Sequence, residues 1–147
     1  MLLDGVDVPT LGTTMPSYAN AGDAGADLYS SETVSIPAGE RRLVSTGTSV
    51  QLPENSVGFV CSRSGLAHNH GVFVLNAPGV VDNGYTGEIK VNLMNLSDTE
   101  YTVTAGDRIA QLVVQASVQV NFLPVTQEVF DQLETERGDS GHGDSGV

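Results

Sequence analysis

Cationic side chains are scarce in this sequence. Of its 147 residues only six are Lys or Arg (Arg41, Arg42, Arg63, Lys90, Arg108 and Arg137), and the net charge is −12. Proteins that grip nucleic acid do so with clustered Lys and Arg that neutralise phosphates, so a nucleic-acid partner is excluded. Any small anion must be held by a few guanidinium groups and backbone amides. Cysteine is nearly absent too. Cys61 stands alone, which excludes an internal disulfide and fits a reducing cytoplasm; in its apolar run it reads as core filler. Long apolar runs are missing as well. No stretch approaches the ~20 apolar residues of a membrane span, and the N-terminus has neither Lys or Arg nor an apolar signal-like region. A soluble, cytoplasmic, unexported protein with no membrane partner is expected.

What is present is a chain of single-domain length, able to bury roughly two thirds of its unfolded surface. Short segments rich in Val, Ile and Thr recur between Gly, Pro, Asn and Asp turns, at 33–36, 41–50, 57–61, 72–75, 86–93, 101–104, 108–114 and 117–123. This is an all-β pattern, implying a sandwich, jelly roll or barrel. Residues 41–50 and 88–93 alternate in part, whereas 57–61 and 109–114 read as strands buried on both faces. The one helical candidate is 126–136, with Thr126 as cap and Val129, Phe130 and Leu133 on one face. Beyond Glu136 the composition turns to Gly, Ser and Asp, too polar to order itself alone. The expected division is a β domain over 1–124 and a C-terminal segment with a mobile arm over 125–147.

The richest stretch chemically is Gly79-Val-Val-Asp-Asn-Gly-Tyr-Thr-Gly-Glu-Ile-Lys90. Gly79, Gly84 and Gly87 allow positive φ and close backbone approach, so Asp82 and Tyr85 are expected on a sharply turned hairpin. Taken alone, Asp82-Asn83-Gly84 is equally an ordinary turn signal. Three of the six cations, Arg63, Arg108 and Arg137, stand beside glycine-rich turns, and backbone nests with Arg forks are how proteins hold phosphate. His68-Asn69-His70 has no partner at zinc-ligand spacing, and Arg137-Gly138-Asp139-Ser140 matches an adhesion tetrapeptide with nothing else to suggest secretion.

Five clusters occur in order: Ala24-Gly-Ala-Asp-Leu-Tyr-Ser30, Ser62-Arg-Ser-Gly-Leu-Ala67, the 79–90 stretch, Gly106-Asp-Arg-Ile-Ala-Gln-Leu112, and Arg137-Gly-Asp-Ser-Gly-His-Gly143. Together they resemble the five motifs of the homotrimeric deoxyuridine triphosphate nucleotidohydrolases, the dUTPases, from about Ala21 to Gly146. The resemblance implies a jelly-roll subunit in a threefold trimer, with active sites at subunit interfaces, converting dUTP to dUMP and pyrophosphate with Mg²⁺. It makes Asp82 the carboxylate that activates the attacking water, Tyr85 the ring against deoxyribose, and Asn76 the side chain that reads uracil. Ser64, Gly65, Arg63 and Gln111 become phosphate contacts, with Lys90 also assigned to the substrate. Asp27 becomes the aspartate that holds Mg²⁺ through water. Arg137 and His142 fall in the arm that closes over the nucleotide.

The sequence departs from the common family pattern at three places. His142 stands where a Phe usually stacks on uracil, Ser62 where Pro is usual, and Asp144 where a small hydroxyl residue faces the terminal phosphates. Two alternatives stay open: a dCTP deaminase on the related fold, and a nucleotide-gated regulatory or binding protein.

Overall fold

The computed structural model describes residues 5–136 and 138–140. Ten strands and two short helices follow in the order β1 (Thr10–Leu11), β2 (Gly25–Tyr29), β3 (Val34–Ile36), β4 (Arg41–Val50), β5 (Ser56–Cys61), α1 (Ser64–His70), β6 (Val72–Val74), β7 (Gly79–Asp82), β8 (Glu88–Asn95), β9 (Tyr101–Val103), β10 (Arg108–Ala116) and α2 (Gln127–Asp131). All pairings are antiparallel: one sheet runs β1-β4-β8-β6, a second β2-β10-β5-β7, and β3 pairs with β9 alone. Chain neighbours rarely pair, so the connections cross between sheets and wrap the chain into a jelly roll.

The alternation read from 41–50 and 88–93 produces this packing. Along β4, Val44, Thr46, Thr48 and Val50 are buried, and along β8, Ile89, Val91, Leu93 and Asn95. These rows meet Leu28, Ile36, Val103, Ile109 and Leu112 in a single core, where each buried aliphatic side chain contributes about 1.5–3 kcal/mol. The polar members are satisfied. Thr46 donates to the Ile89 carbonyl, and the Asn95 amide donates to Ile36 O (2.9 Å) and Thr99 O (2.8 Å). The β4–β8 register slips between Ser45 and Ser49, where Gly47 takes φ 63°, a left-handed conformation in which a Cβ is strained.

Several expectations are corrected. The 79–90 stretch is not a hairpin: β7 pairs with β5 in one sheet, and β8 pairs with β4 and β6 in the other. It is a corner between sheets. None of Gly79, Gly84 and Gly87 takes positive φ, so the primed turns that suit Asn-Gly hairpins are absent; Gly79 and Gly87 serve close approach, whereas a Cβ on Gly84 would meet nothing within 4 Å. Ser64-Gly65 opens helix α1 rather than forming a turn, and the helix ends on Gly71 at φ 64°, whose N–H donates to Ala67 O and Leu66 O. Helix α2 is capped as read, with Thr126 accepting from Val129 N, but it stops at Asp131. Double-sided burial of 109–114 holds only as far as Leu112, since Val114 is partly exposed. Residues 117–123 form no strand. Among the described residues only the Ser117 N–H of this stretch has a backbone partner, Asn55 O at 2.8 Å, and Val118 and Phe122 are 87% and 93% exposed.

Candidate active site

Two groups of polar side chains are built on this frame. The first rims a pocket of about 440 Å³ at the corner between the sheets, floored by Val60, Val74, Val81 and Ile89, with Asn76, Asp82, Tyr85 and Lys90 at its lip. An apolar floor with a few convergent polar groups in this size range suits a small ligand. Asp82 ends β7, and its carbonyl accepts the Tyr85 N–H at 3.0 Å. That bond closes the turn. The Tyr85 hydroxyl donates to Glu88 O at 2.8 Å, and the residue is 46% exposed. Asn76 lies in the β6–β7 connection, its amide nitrogen 3.3 Å from where a Cβ on Gly79 would stand. Lys90 Nζ is 3.8 Å from Glu88 Oε2 on the same rim.

The second group surrounds Asp27. Register places Asp27, Gln111 and Cys61 in one row across β2, β10 and β5. Asp27 is 3% exposed. Its Oδ1 accepts from Arg63 Nε (3.1 Å) and Gln111 Nε2 (3.4 Å), and its Oδ2 from an Arg108 terminal nitrogen (3.4 Å). Gly25 makes room, since a Cβ there would stand 3.1 Å from Gln111 Cβ. Arg63 also donates to Arg108 O at 3.2 Å and precedes the first turn of α1, where Ser64 and Gly65 lie and no side-chain cap bond closes the helix end. Ser62 has a structural use: its hydroxyl accepts the Val74 N–H at 2.9 Å, a bond that a proline side chain cannot make. Beside this cluster the His70 and Tyr101 rings meet at 5.0 Å. Burial, then Asp107, push the Tyr101 phenol above its ordinary pKa, with Arg63 opposing.

One chain does not join the two groups. Asp82 sits opposite Val57, while Gln111 sits opposite Cys61; four residues of strand at about 3.3 Å each put those rows about 13 Å apart. A base needs to lie within about 3 Å of the proton that it takes. Sequence reading missed Arg108 as a partner of Asp27, although it had marked it beside a glycine turn, and it missed Glu88 as the anchor of Tyr85. Arg137, His142 and Asp144 lie outside the described residues.

The Asp27 cluster constrains any metal. A carboxylate offers about four acceptor sites, and three are occupied. Among the described residues no group of three His, Cys, Asp or Glu side chains converges. A protein cage does not fit, whereas contact through a metal-bound water does, and that suits an ion that keeps several of its waters, as Mg²⁺ does. Among the described residues no helix is long and apolar enough to cross a membrane.

The fold and site define a β jelly-roll protein with a pocket of small-ligand size and, apart from it, two arginines and a glutamine gathered on a buried aspartate. The comparisons narrow this. The dUTPase family model matches residues 12–146. A deoxyuridine 5'-triphosphate nucleotidohydrolase of Leifsonia xyli subsp. xyli is 46% identical over 150 residues, covering 99% of this chain and 93% of its own length. Among solved structures, a Staphylococcus bacteriophage 80alpha dUTPase G164S mutant with dUpNHpp aligns with TM-score 0.83 and 28% identity over 99% of this chain and 100% of that one. A D95N dUTPase mutant from phage phi11 of S. aureus, described for coordination of a structural Mg(II) ion, aligns with TM-score 0.73 and 26% identity over 83% and 97%. The chain belongs to the dUTPase family.

Proposed function

We propose that this chain, as a homotrimer, hydrolyses dUTP to dUMP and pyrophosphate, supplying dUMP and keeping uracil out of DNA. The observation that carries the reading is the convergence of Asn76, Asp82 and Tyr85 on one pocket. Asn76 and the corner backbone read the uracil edge; against cytosine their donors and acceptors are left unpaired, which supports rejection by ~10⁴ or more. Rejection of thymine is assigned to the backbone at Gly79, which approaches Asn76 so closely that a Cβ there would stand 3.3 Å from its amide nitrogen, with the 5-methyl group directed at it. The Tyr85 ring packs on deoxyribose and meets a ribose 2′-hydroxyl with an aromatic face.

Asp82 takes a proton from the water that attacks the α-phosphorus in line, and pyrophosphate leaves. Ser64, Gly65, Arg63 and Gln111 hold the phosphates. Buried Asp27 fixes Arg63 and Gln111 in place before substrate arrives, a preorganisation that lowers the cost of binding. Lys90 adds charge at the pocket rim. Mg²⁺, when bound, neutralises the triphosphate and polarises its α-phosphorus. Asp27 is the residue that would meet it, through water.

The separation of Asp82 from the Gln111 row supports sites completed between subunits: one chain supplies the nucleoside pocket and its neighbour the phosphate cluster. The exposed apolar residues Val118, Phe122, Leu123, Phe130 and Leu133 support the same assembly, since an isolated chain gains nothing by presenting them to water. In this reading residues 125–147 form the closing segment, with Arg137 on the γ-phosphate, the His142 ring on uracil, and Ser145 taking the phosphate contact if Asp144 points outward. Work on a cytoplasmic deoxynucleotide pool fits the lone cysteine. The test is incubation with dUTP and Mg²⁺: dUMP and pyrophosphate in equal amounts are expected, and their absence sinks the reading. Ammonia released from dCTP would point instead to a deaminase.

A further inference from the structure

The Tyr85 ring is held from one side by Gly87. A Cβ built on Gly87 would stand 2.6 Å from the Tyr85 hydroxyl oxygen, 2.7 Å from Cζ and 3.0 Å from Cε2. Real Cβ atoms do not approach other atoms so closely, so the phenol edge occupies the space that any other residue at 87 would need. The same hydroxyl donates to the carbonyl of the next residue, Glu88. Glu88 is itself clamped: its Oε1 accepts the N–H of Gly47 at 2.9 Å, inside the β4 irregularity, and its Cα pairs with Ser49. The ring thus rests on a short platform, Gly87-Glu88, fastened to the neighbouring strand β4 of the same sheet.

We propose that Gly87 is a positioning residue for sugar discrimination: its missing Cβ lets the Tyr85 ring lie where it excludes a ribose 2′-hydroxyl. Gly87 is not required by the backbone, because it takes no positive φ and Ala fits that conformation. What Ala cannot share is the volume of the phenol edge. A Gly87→Ala chain therefore keeps the corner and swings the ring outward, breaking the Tyr85–Glu88 bond and opening the space that the ring had closed. The selectivity that falls is for the sugar. Base reading by Asn76 rests on a different close approach, that of Gly79, and stays. This inference rests on the functional reading above.

The test is a double-mutant cycle on the full-length protein with Mg²⁺, measuring kcat/KM for dUTP and for UTP in the parent, Gly87→Ala, Tyr85→Ala and the double variant. Gly87→Ala is expected to lower the dUTP-to-UTP preference by about tenfold or more, the scale on which a misplaced methylene acts in a pocket. In the Tyr85→Ala background the same change is expected to do nothing further, since coupled neighbours are not additive. A preference in Gly87→Ala equal to the parent's, or a second full loss in the double variant, overturns the proposal. Thermal melting covers poor folding. If Gly87→Ala melts early, the double variant regains the loss when the ring contact is the cause, and an equal loss in both backgrounds overturns it. The parent measurement is separate: no turnover of dUTP there sinks the functional reading and this one together, whereas turnover with an unaltered preference in Gly87→Ala sinks only the role of Gly87.

Discussion

Replacing Asp27 by Asn removes the charge on which Arg63 and Arg108 converge while keeping the side-chain shape. Taking away one partner of a fully buried ion pair costs about 3–5 kcal/mol. Here only the carboxylate is buried; the Arg63 and Arg108 side chains are 25% and 49% exposed. Solvent screens the orphaned guanidinium groups, which brings the expected loss to about 2 kcal/mol. For a chain of this length that is about 4–8 °C in Tm. The assay is calorimetric melting of parent and variant in EDTA at equal protein concentration, because assembly also moves Tm. The loss is expected without metal, since the carboxylate organises two arginines and an amide before any ion is present. Turnover of dUTP should fall with it, as Arg63 and Gln111 lose their common anchor, and added Mg²⁺ should not restore it. A variant that melts within about 1 °C of the parent in EDTA, and whose lost activity returns at high Mg²⁺, would refute this reasoning and leave Asp27 a metal-handling residue only.

Asp82→Asn should lower dUTP turnover by about 10²- to 10⁴-fold, the usual contribution of a positioned base, while nucleotide binding by calorimetry stays close to the parent's; retained turnover would remove Asp82 from the chemistry. Deleting residues 137–147 should cut turnover strongly and leave the oligomer intact by light scattering, with unchanged turnover speaking against a closing arm. Tyr101 carries a pH prediction. Its folded-state pKa is raised above 10.0 by burial, so the unfolded chain loses this proton first and stability falls as pH rises from about 10 through the folded value. Tyr101→Phe should flatten that decline in alkaline melts, and an identical decline in both proteins would exclude Tyr101 as its source.

Strands with their own alternation were legible in the sequence, because their pattern reports the core directly. β4 from Val44 to its end, and β8 throughout, bury every second residue. β2, with Ala26, Asp27 and Leu28 all buried, shows no period, and its central Asp argues against a strand until Arg63, Arg108 and Gln111 are known to satisfy it. Helix α1 was hidden for a similar reason: Ser64-Gly65 has turn chemistry, and only the terminating Gly71 and the buried Leu66 mark a helix. The 117–123 stretch has strand composition but joins no strand among the described residues. Of the site, the residue types were legible through the order of five motifs. Their division into two groups was not, because it depends on which strand ends face each other. The glycines at 79 and 87 were read as allowing both positive φ and close approach, and only close approach is used, by the Asn76 and Tyr85 side chains pressed against them.

The central claim is in-line attack of water on the α-phosphorus of dUTP, and one labelling measurement tests it most directly. With dUTP, UTP, dTTP and dCTP offered separately with Mg²⁺ in ¹⁸O-water, the account predicts turnover of dUTP far above the others, with the label in dUMP and unlabelled pyrophosphate. Label in pyrophosphate, release of orthophosphate, or equal turnover of dTTP or dCTP would contradict it.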